Sequence, residues 1–318
     1  MTRLLHNLVY LILGFPVAKN KFAYQPAGHL PCNRPDAPSL LFEGVDRGAL
    51  PLASRLQTCA RNYSPHNGGV HQGHQLLINN AVKQAKRLKA KSLVITFFPH
   101  PAHVLSSKSL LPYLISLEHR LELFKRSKVD IVWVVRFNKK FAQINPRSFI
   151  ENILVKKLGV KSINVGGNFR FGKDRVGDID LFRKLSKQFG YKIHAYKPIL
   201  SGKKIISSGR LRQLIPQGDL AKASLMLGRP VSVMGKVVKG ASRGKALGFP
   251  TANIQYECGV LLPLGVYAVG VRLKDKYLFG MANLGYRPSF KEPNPKVLLE
   301  VHLFDFHQNI YDQKLEVE

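Results

Sequence analysis

The sequence has few cysteines and no long apolar run. Its three cysteines, Cys32, Cys59 and Cys258, lack the paired spacing of a zinc site, and so small and odd a set favours reduced thiols in a cytoplasm. No run of roughly 18 apolar residues occurs, so a membrane-spanning helix is not expected. Residues 8–18 resemble a signal-peptide core, but nothing after them resembles a secreted scaffold. We therefore expect a cytoplasmic protein.

Acidic residues are also scarce, with 19 Asp and Glu against 49 Lys and Arg and a formal net charge of +30. This balance predicts an anionic partner, which can be a nucleic acid, a membrane surface or a phosphorylated small molecule. A generally basic surface without a function explains it equally well. The basic residues are dispersed, and no aromatic platform or basic recognition helix accompanies them. We expect neither a nucleic-acid nor a membrane partner, and a nucleic-acid-binding protein stays as an alternative.

The pattern of apolar and polar residues changes twice along the chain. Its 318 residues suffice for two domains with separate cores. Residues 1–63 show no sustained period of helix or strand beyond the first 14 residues. Residues 64–220 alternate short apolar runs with amphipathic helical patterns, which predicts βαβ units on a parallel sheet. Residues 221–318 begin with a short linking helix and continue as β-rich runs between Gly and Pro turns. That pattern is typical of a small antiparallel barrel.

Local signals predict individual helices and strands in residues 64–220, which we call the front domain. Asn145 is a plausible helix cap before Pro146, a residue favoured in the first helical turn. The predicted helices span residues 117–126, 146–158 and 178–189, and the predicted strands span residues 92–97, 129–135, 162–165 and 192–196.

Two histidines stand directly before the first strong helical pattern, in the string His71-Gln72-Gly73-His74. Ring N–H groups at a helix start can donate to phosphate oxygens, the glycine lets the backbone approach, and the helix terminus adds free N–H donors. The histidines can instead bind a metal ion, although no third ligand follows at a suitable spacing. A chance capping arrangement is the remaining alternative.

Further strings accompany this one, namely GGVHQGHQ at 68–75, TFFPHP at 96–101, VGGNFRFGKDRVGD at 165–178 and ISSGRLR at 206–212. Together and in this order they resemble the FMN adenylyltransferase half of the bifunctional bacterial FAD synthetases. The resemblance implies a Rossmann-like α/β nucleotidyltransferase domain that joins FMN to the AMP part of ATP and releases pyrophosphate. It also implies site residues: His71, Gly73 and His74 at the ATP phosphates, Ser207, Ser208 and Arg212 at the pyrophosphate, and Asn168 at the flavin pocket.

The sequence departs from this family at several positions. Gly68 stands where the family has Asp, and Gly209 stands where it has Thr. The family motif follows an apolar first strand, whereas residues 53–66 are polar here. We therefore expect the sheet to lack its starting strand and residues 1–63 to be an aberrant N-terminus.

A second glycine-rich string, GASRGKALGFPTAN, occupies residues 240–253. Its glycines allow a loop to fold over phosphates, and oxygen side chains after Pro250 offer the ligands that Mg²⁺ prefers. Read by composition alone, it is an ordinary glycine-rich hairpin, and it is not a Walker A loop. The candidate residues for phosphate binding are Gly240, Arg243, Gly248, Thr251 and Asn253.

This string closely resembles the riboflavin kinase signature, and the resemblance covers residues 228–311 almost without a gap. It implies an antiparallel β-barrel kinase that transfers the γ-phosphoryl group of ATP to riboflavin. By the same resemblance Thr251 and Asn253 hold Mg²⁺ and phosphates, and Glu300 orients and deprotonates the riboflavin hydroxyl. The family continues with a strand and a C-terminal helix that close the barrel, so we expect a C-terminally incomplete domain.

The two resemblances together imply an enzyme that makes FMN and then FAD from riboflavin, with ATP as co-substrate and Mg²⁺ as cofactor. A kinase-only protein with a decayed front domain is the alternative favoured by Gly68 and Gly209. A non-catalytic product of a damaged gene is a third interpretation. The oligomeric state is left open.

Overall fold

The computed structural model describes residues 69–105, 112–240, 249–256, 262–286 and 297–318, together with the backbone of two strands at 11–16 and 40–43. The strands are β1 (Leu11–Pro16), β2 (Leu40–Glu43), β3 (Ala90–Phe98), β4 (Ile131–Arg136), β5 (Ser162–Gly166), β6 (Lys192–Tyr196), β7 (Leu200–Ser201), β8 (Lys204–Ile205), β9 (Val233–Val238), β10 (Thr251–Tyr256), β11 (Gly265–Leu273), β12 (Lys276–Tyr286), β13 (Val297–Leu303) and β14 (Lys314–Val317). The helices are α1 (Gln72–Arg87), α2 (Pro101–Leu105), α3 (Leu117–Arg126), α4 (Lys139–Ala142), α5 (Pro146–Ser148, continued by a π-helix at Phe149–Lys157), α6 (Ile179–Phe189), α7 (Ser208–Leu214) and α8 (Leu220–Leu227).

The front domain is an α/β fold built on a six-stranded sheet with the order β2-β4-β3-β1-β5-β6. Strand β3 pairs with β4 in parallel, as does β5 with β6. The predicted α/β class is confirmed, and the sheet is mixed because β1 and β2 run antiparallel to their neighbours. Apolar residues of β3, β4 and β5 form the core with side chains from α6, including Phe182 and Leu185.

The prediction that the sheet lacks its central strand was wrong. Strand β1 fills the place between β3 and β5, with Leu13 opposite Leu93 on one side and Ile163 on the other. The backbone N–H and C=O groups of β3 and β5 need partners at this position, and an antiparallel strand satisfies them as fully as a parallel one. The apolar stretch compared above with a signal peptide is therefore, in part, a sheet strand.

Side-chain caps mark the helix starts in the front domain, and the one predicted from the sequence, Asn145, is among them. The side chain of Ser116 accepts the N–H of His119 at the start of α3, and Asp178 accepts the N–H of Leu181 at the start of α6. Asn145 accepts the N–H groups of Arg147 and Ser148, as expected from its place before Pro146. These local signals explain why the predicted helix and strand ranges agree closely with the observed ones.

The second domain is a closed barrel of six strands in the order β10-β13-β12-β11-β14-β9. Alternate side chains point inward to form its core, including Val271, Val301 and Leu315. The barrel closes without the further strand expected above, because β14 pairs with β11 on one side and with β9 on the other, and the C-terminally incomplete domain stays a prediction. Closure leaves no unpaired edge between these strands.

Helix α8 joins the two domains, as the sequence predicted. Asp219 caps its start by accepting the N–H of Lys222, and Gly228 ends it in the left-handed conformation. Among the described residues, no helix has the length and apolar character needed to span a bilayer.

Two candidate active sites

The first candidate site begins at the N-terminus of α1, where His71 caps the helix and His74 occupies its first turn. The two imidazole rings stack with their centroids 3.7 Å apart. The Nδ1 atom of His74 accepts the backbone N–H of His71 at 3.3 Å. In the neutral ring this places the His74 proton on Nε2. A side chain at Gly73 would crowd the pair, because a Cβ there would lie 3.1 Å from Cε1 of His71.

Both imidazoles are held in the neutral form. Each histidine is 7% exposed, and burial lowers the pKa of His71 to about 4. The pKa of His74 also lies well below its ordinary value, because of burial first and then the charges of His71 and Arg120. A neutral imidazole can donate one N–H to a phosphate oxygen without carrying a net charge.

The start of α1 lies at the carboxyl edge of the parallel strands. Gln84, near the end of α1, accepts hydrogen bonds from Ser162 and Asn164 of β5, and Ser162 is the first residue of that strand. Helix α1 therefore runs antiparallel to β5, with its histidines at the opposite edge. Ligands of open α/β sheets bind at this edge.

Arg212 and the serines before it lie on α7. Ser207 caps this helix and accepts the N–H of Arg210 at 3.3 Å, and Ser208 is buried. Arg212 donates from Nε to the carbonyl oxygen of Pro112 at 2.7 Å. Burial lowers the pKa of Arg212 to about 10, which leaves the guanidinium charged at neutral pH.

Asn168 lies in the turn that follows β5, at the same carboxyl edge, and is exposed. The loop after it is fixed by an ion pair between Arg170 and Asp178, with 2.6 Å between Nη1 and Oδ2. The rings of Phe171 and Phe182 stack beneath it at 4.7 Å. The geometry therefore leaves the Asn168 side chain free to face a ligand.

The second candidate site lies on the outer face of the barrel, on the adjacent strands β10 and β13. Asn253 stands directly opposite Glu300, and Thr251 stands opposite His302. Because the neighbouring residues Leu299 and Val301 point into the core, Glu300 points outward. The register thus brings Thr251, Asn253 and Glu300 onto one surface, although the chain separates them by about fifty residues.

Gly240, which follows β9, and Pro250, which precedes β10, both lie close to this surface. A Cβ at Gly240 would collide with Nδ2 of Asn253, so only glycine fits there while the asparagine keeps its position. The carbonyl oxygen of Pro250 lies 2.9 Å from Nδ1 of His302. Arg243 and Gly248, which the sequence also selects, lie outside the described residues.

The oxygen groups of this surface fit a hard divalent cation such as Mg²⁺. The hydroxyl of Thr251, the amide oxygen of Asn253 and the carboxylate of Glu300 are its side-chain donors. Within the residues that the structure describes, no group of three or more His, Cys, Asp or Glu side chains has the arrangement of a metal centre. One or two protein oxygens with substrate phosphates suit Mg²⁺ better than such a centre does.

Comparison with known proteins agrees with both halves of this description. The family described as FAD synthetase matches residues 68–210, and the family described as riboflavin kinase matches residues 227–318. The bifunctional riboflavin kinase/FMN adenylyltransferase of Haemophilus influenzae is 38% identical over 264 residues, which cover 83% of this chain and 85% of that protein. The chain belongs to this bifunctional family.

Other members of the bifunctional riboflavin kinase/FMN adenylyltransferase family are similarly close. The protein of Buchnera aphidicola from Schizaphis graminum is 37% identical over 78% of this chain and 80% of its own length. A crystal structure described as a macrolide-efflux protein from Streptococcus pneumoniae shares the fold with a TM-score of 0.66 and 30% identity. It covers 79% of this chain and 82% of that one.

Sequence reasoning missed three residues near the front-domain site, namely Gln72, Gln75 and Arg120. Gln72 and Gln75 donate from Nε2 to the carbonyl oxygens of Leu225 and Leu227, at 2.7 and 2.8 Å, where α8 ends. Arg120, which is 4% exposed, donates to the hydroxyl of Thr96 at 2.9 Å. The buried charge of Arg120 leaves no signal in a local pattern, whereas the two glutamines stand within the motif itself.

Proposed function

We propose that this chain phosphorylates riboflavin to FMN and then transfers an adenylyl group from ATP to FMN, which yields FAD and pyrophosphate. The observation that carries the proposal is the presence of both sites in one chain, each on the domain that matches the corresponding family. We place the domain limits at residues 1–63, 64–220 and 221–318, and the enzyme in the cytoplasm, where ATP is available.

In the kinase step, the 5′-hydroxyl oxygen of riboflavin attacks the γ-phosphorus of ATP, the bond to the bridging oxygen breaks, and ADP leaves. Glu300 accepts the hydroxyl proton and orients the oxygen. Thr251 and Asn253 would hold Mg²⁺, which would neutralise charge at the phosphates. Gly240, Arg243 and Gly248 belong to the loop that covers them. A positioned general base contributes about 10² to 10⁴ in rate.

In the adenylyl transfer step, a phosphate oxygen of FMN attacks the α-phosphorus of ATP and pyrophosphate leaves. The nucleophile belongs to the substrate and carries no proton that must be removed, so the protein acts by positioning and charge neutralisation. His71, His74 and the Gly73 backbone hold the ATP phosphates. Ser207, Ser208 and Arg212 hold the departing pyrophosphate, because a guanidinium spreads its charge over several oxygens. Asn168 contacts the flavin nucleotide.

The decisive experiment follows two labels through the purified chain. With riboflavin, Mg²⁺ and ATP labelled at the γ-phosphorus, the label is expected in FMN. With FMN and ATP labelled at the α-phosphorus, it is expected in FAD. A γ-label in FMN without an α-label in FAD would support the kinase-only alternative, and the absence of both products would contradict the proposal. A control without ATP excludes flavin carried over from expression.

A further inference from the structure

A buried carboxylate links the barrel to the front domain. Glu316 lies on β14, where its neighbours Leu315 and Val317 point into the barrel core and Glu316 points outward. It is nevertheless only 3% exposed, because α3 of the front domain covers it. A carboxylate in such a place requires strong partners, since an unpaired buried charge is costly.

Among the described residues, three side chains bind the Glu316 carboxylate, and two of them belong to α3. Oε1 lies 2.8 Å from Nε2 of His119 and accepts the hydroxyl of Ser232 at 3.0 Å. Oε2 lies 2.6 Å from Nη1 of Arg126. Burial raises the pKa of Glu316, but the hydrogen bonds and charges of His119 and Arg126 outweigh it and lower the pKa to about 2. The group is therefore ionised at neutral pH.

The next residue of α3 reaches into the interior of the front domain. While His119 reaches the barrel, Arg120 is buried on the other side and donates to Thr96 of β3 at 2.9 Å. The pKa of His74 is lowered by burial, by the electrostatic effect of His71 and by the positive charge of Arg120. Consecutive residues of one helix thus contact Glu316 of the barrel and the interior of the front domain.

The chain that enters α3 contacts the other half of the same site. The carbonyl oxygen of Pro112 accepts Nε of Arg212 at 2.7 Å, and Ser116 then caps the helix. The position of α3 therefore determines where Arg120 lies and where the Arg212 guanidinium is held. The two hydrogen bonds are 2.7 Å long for Arg212 and 2.9 Å long for Arg120, and Arg120 is buried.

We propose that Glu316 is a positioning residue for adenylyl transfer: by holding His119, the barrel fixes α3 and, through it, Arg120 and Pro112 behind the side chains that bind ATP. This inference rests on the proposed adenylyltransferase activity. It assigns a role in the front-domain reaction to a residue of the kinase domain. A misplacement of about 1 Å costs on the order of 10²-fold in rate, so a small movement of α3 suffices.

The test compares Glu316→Gln with Asp312→Asn in the full chain. Both replace a carboxylate by an amide on the barrel, but Asp312 is exposed and pairs with Lys236 at the surface. We expect Glu316→Gln to lower kcat for FAD formation from FMN by about tenfold or more, with KM for FMN nearly unchanged. Riboflavin phosphorylation in the same preparation should stay within about twofold, and Asp312→Asn should change neither reaction.

Three results would overturn the inference. One is an unchanged kcat for FAD formation in a folded Glu316→Gln protein. Another is a parallel fall of both activities in proportion to the unfolded fraction, which would show a purely structural role. The third is an equal loss in Asp312→Asn. If Glu316→Gln does not fold, Ser232→Ala removes one hydrogen bond to the same carboxylate and should give a smaller fall in the same direction, and no fall would count against us.

A readout without catalysis separates this inference from the proposed function. The ring proton resonances of His71 and His74 report their surroundings by NMR, and His71→Gln and His74→Gln assign them. We expect these resonances to shift in Glu316→Gln and to stay in place in Asp312→Asn. If the parent chain made no FAD, the proposed function would fail, while unshifted resonances would still refute the positioning role.

Discussion

The two candidate sites use opposite environments. At the front site the imidazoles of His71 and His74 are each 7% exposed, and burial has shifted their titration. At the barrel site Thr251 is exposed and Glu300 half-buried on an outer sheet face. Burial and contacts from several elements therefore determine the protonation and position of the side chains at the first site. At the second site, strand register determines which side chains lie together. Changes in packing should disturb the first most, and single side-chain changes the second.

The largest effect should come from the barrel site. Glu300→Gln keeps the shape of the side chain but removes the proton acceptor, so riboflavin phosphorylation should fall about 10² to 10⁴-fold. FAD formation from supplied FMN should be unchanged, because that reaction occurs in the other domain. Chromatography of riboflavin, FMN and FAD measures both. An equal loss of both reactions would show that the two sites are not separate.

The buried imidazole of His71 should make stability depend on pH. Its pKa falls from 6.5 to about 4 on folding, so the unfolded chain binds the proton more readily and stability is lost as the pH decreases from about 6.5 to 4. The contribution is about 3 kcal/mol at most. Denaturant unfolding across this range should show a shallower pH dependence in His71→Gln than in the parent. Parallel curves would mean that His71 titrates normally in the folded protein.

Arg212→Lys should weaken the front site while preserving its charge. A lysine cannot both donate to the carbonyl of Pro112 and contact several pyrophosphate oxygens, so kcat/KM for FAD formation should fall roughly 10- to 100-fold. Exposed Arg183→Lys, which changes an ion pair on α6, is the matched control and should have no effect. An equal rate in Arg212→Lys would remove Arg212 from the reaction.

Gly240→Ala should have the smallest effect of the four and should act only on the barrel site. The new methyl group would meet Nδ2 of Asn253, and overpacking of this kind costs about 1 to 3 kcal/mol. Kinase activity should fall while FAD formation from FMN continues. The matched control is Gly190→Ala. An added Cβ there would contact no other atom, although the backbone at Gly190 is in the left-handed conformation. An equal loss of kinase activity in both variants would show that the contact with Asn253 is not the cause.

Local patterns predicted much of the fold. Helix α3 and strand β6 have the predicted limits, since Ser116 caps the helix and short apolar runs mark buried strands. The linking helix follows from Asp219 and Gly228. These features depend on neighbours in the chain, which a sequence displays directly.

Long-range contacts were beyond such reasoning. Strand β1 pairs with residues about eighty and one hundred and fifty positions away, and its direction cannot be read from composition. The closure of the barrel by β14 and the contact of His119 with Glu316 depend on the assembled domains in the same way. The family resemblance supplied the site residues, but not the burial that keeps the histidines neutral.

The two glutamines of the HQGHQ string have a practical consequence for anyone who cuts the enzyme in two. Gln72 and Gln75 donate to the last carbonyl groups of α8. Cutting the chain at one position between the domains therefore does not separate all the contacts that join them. In a barrel transplanted to another scaffold, the carbonyl groups of Leu225 and Leu227 would lack these donors unless the new host supplied amides at the same places. Hybrid enzymes assembled from different species should therefore exchange the glutamines and the helix together.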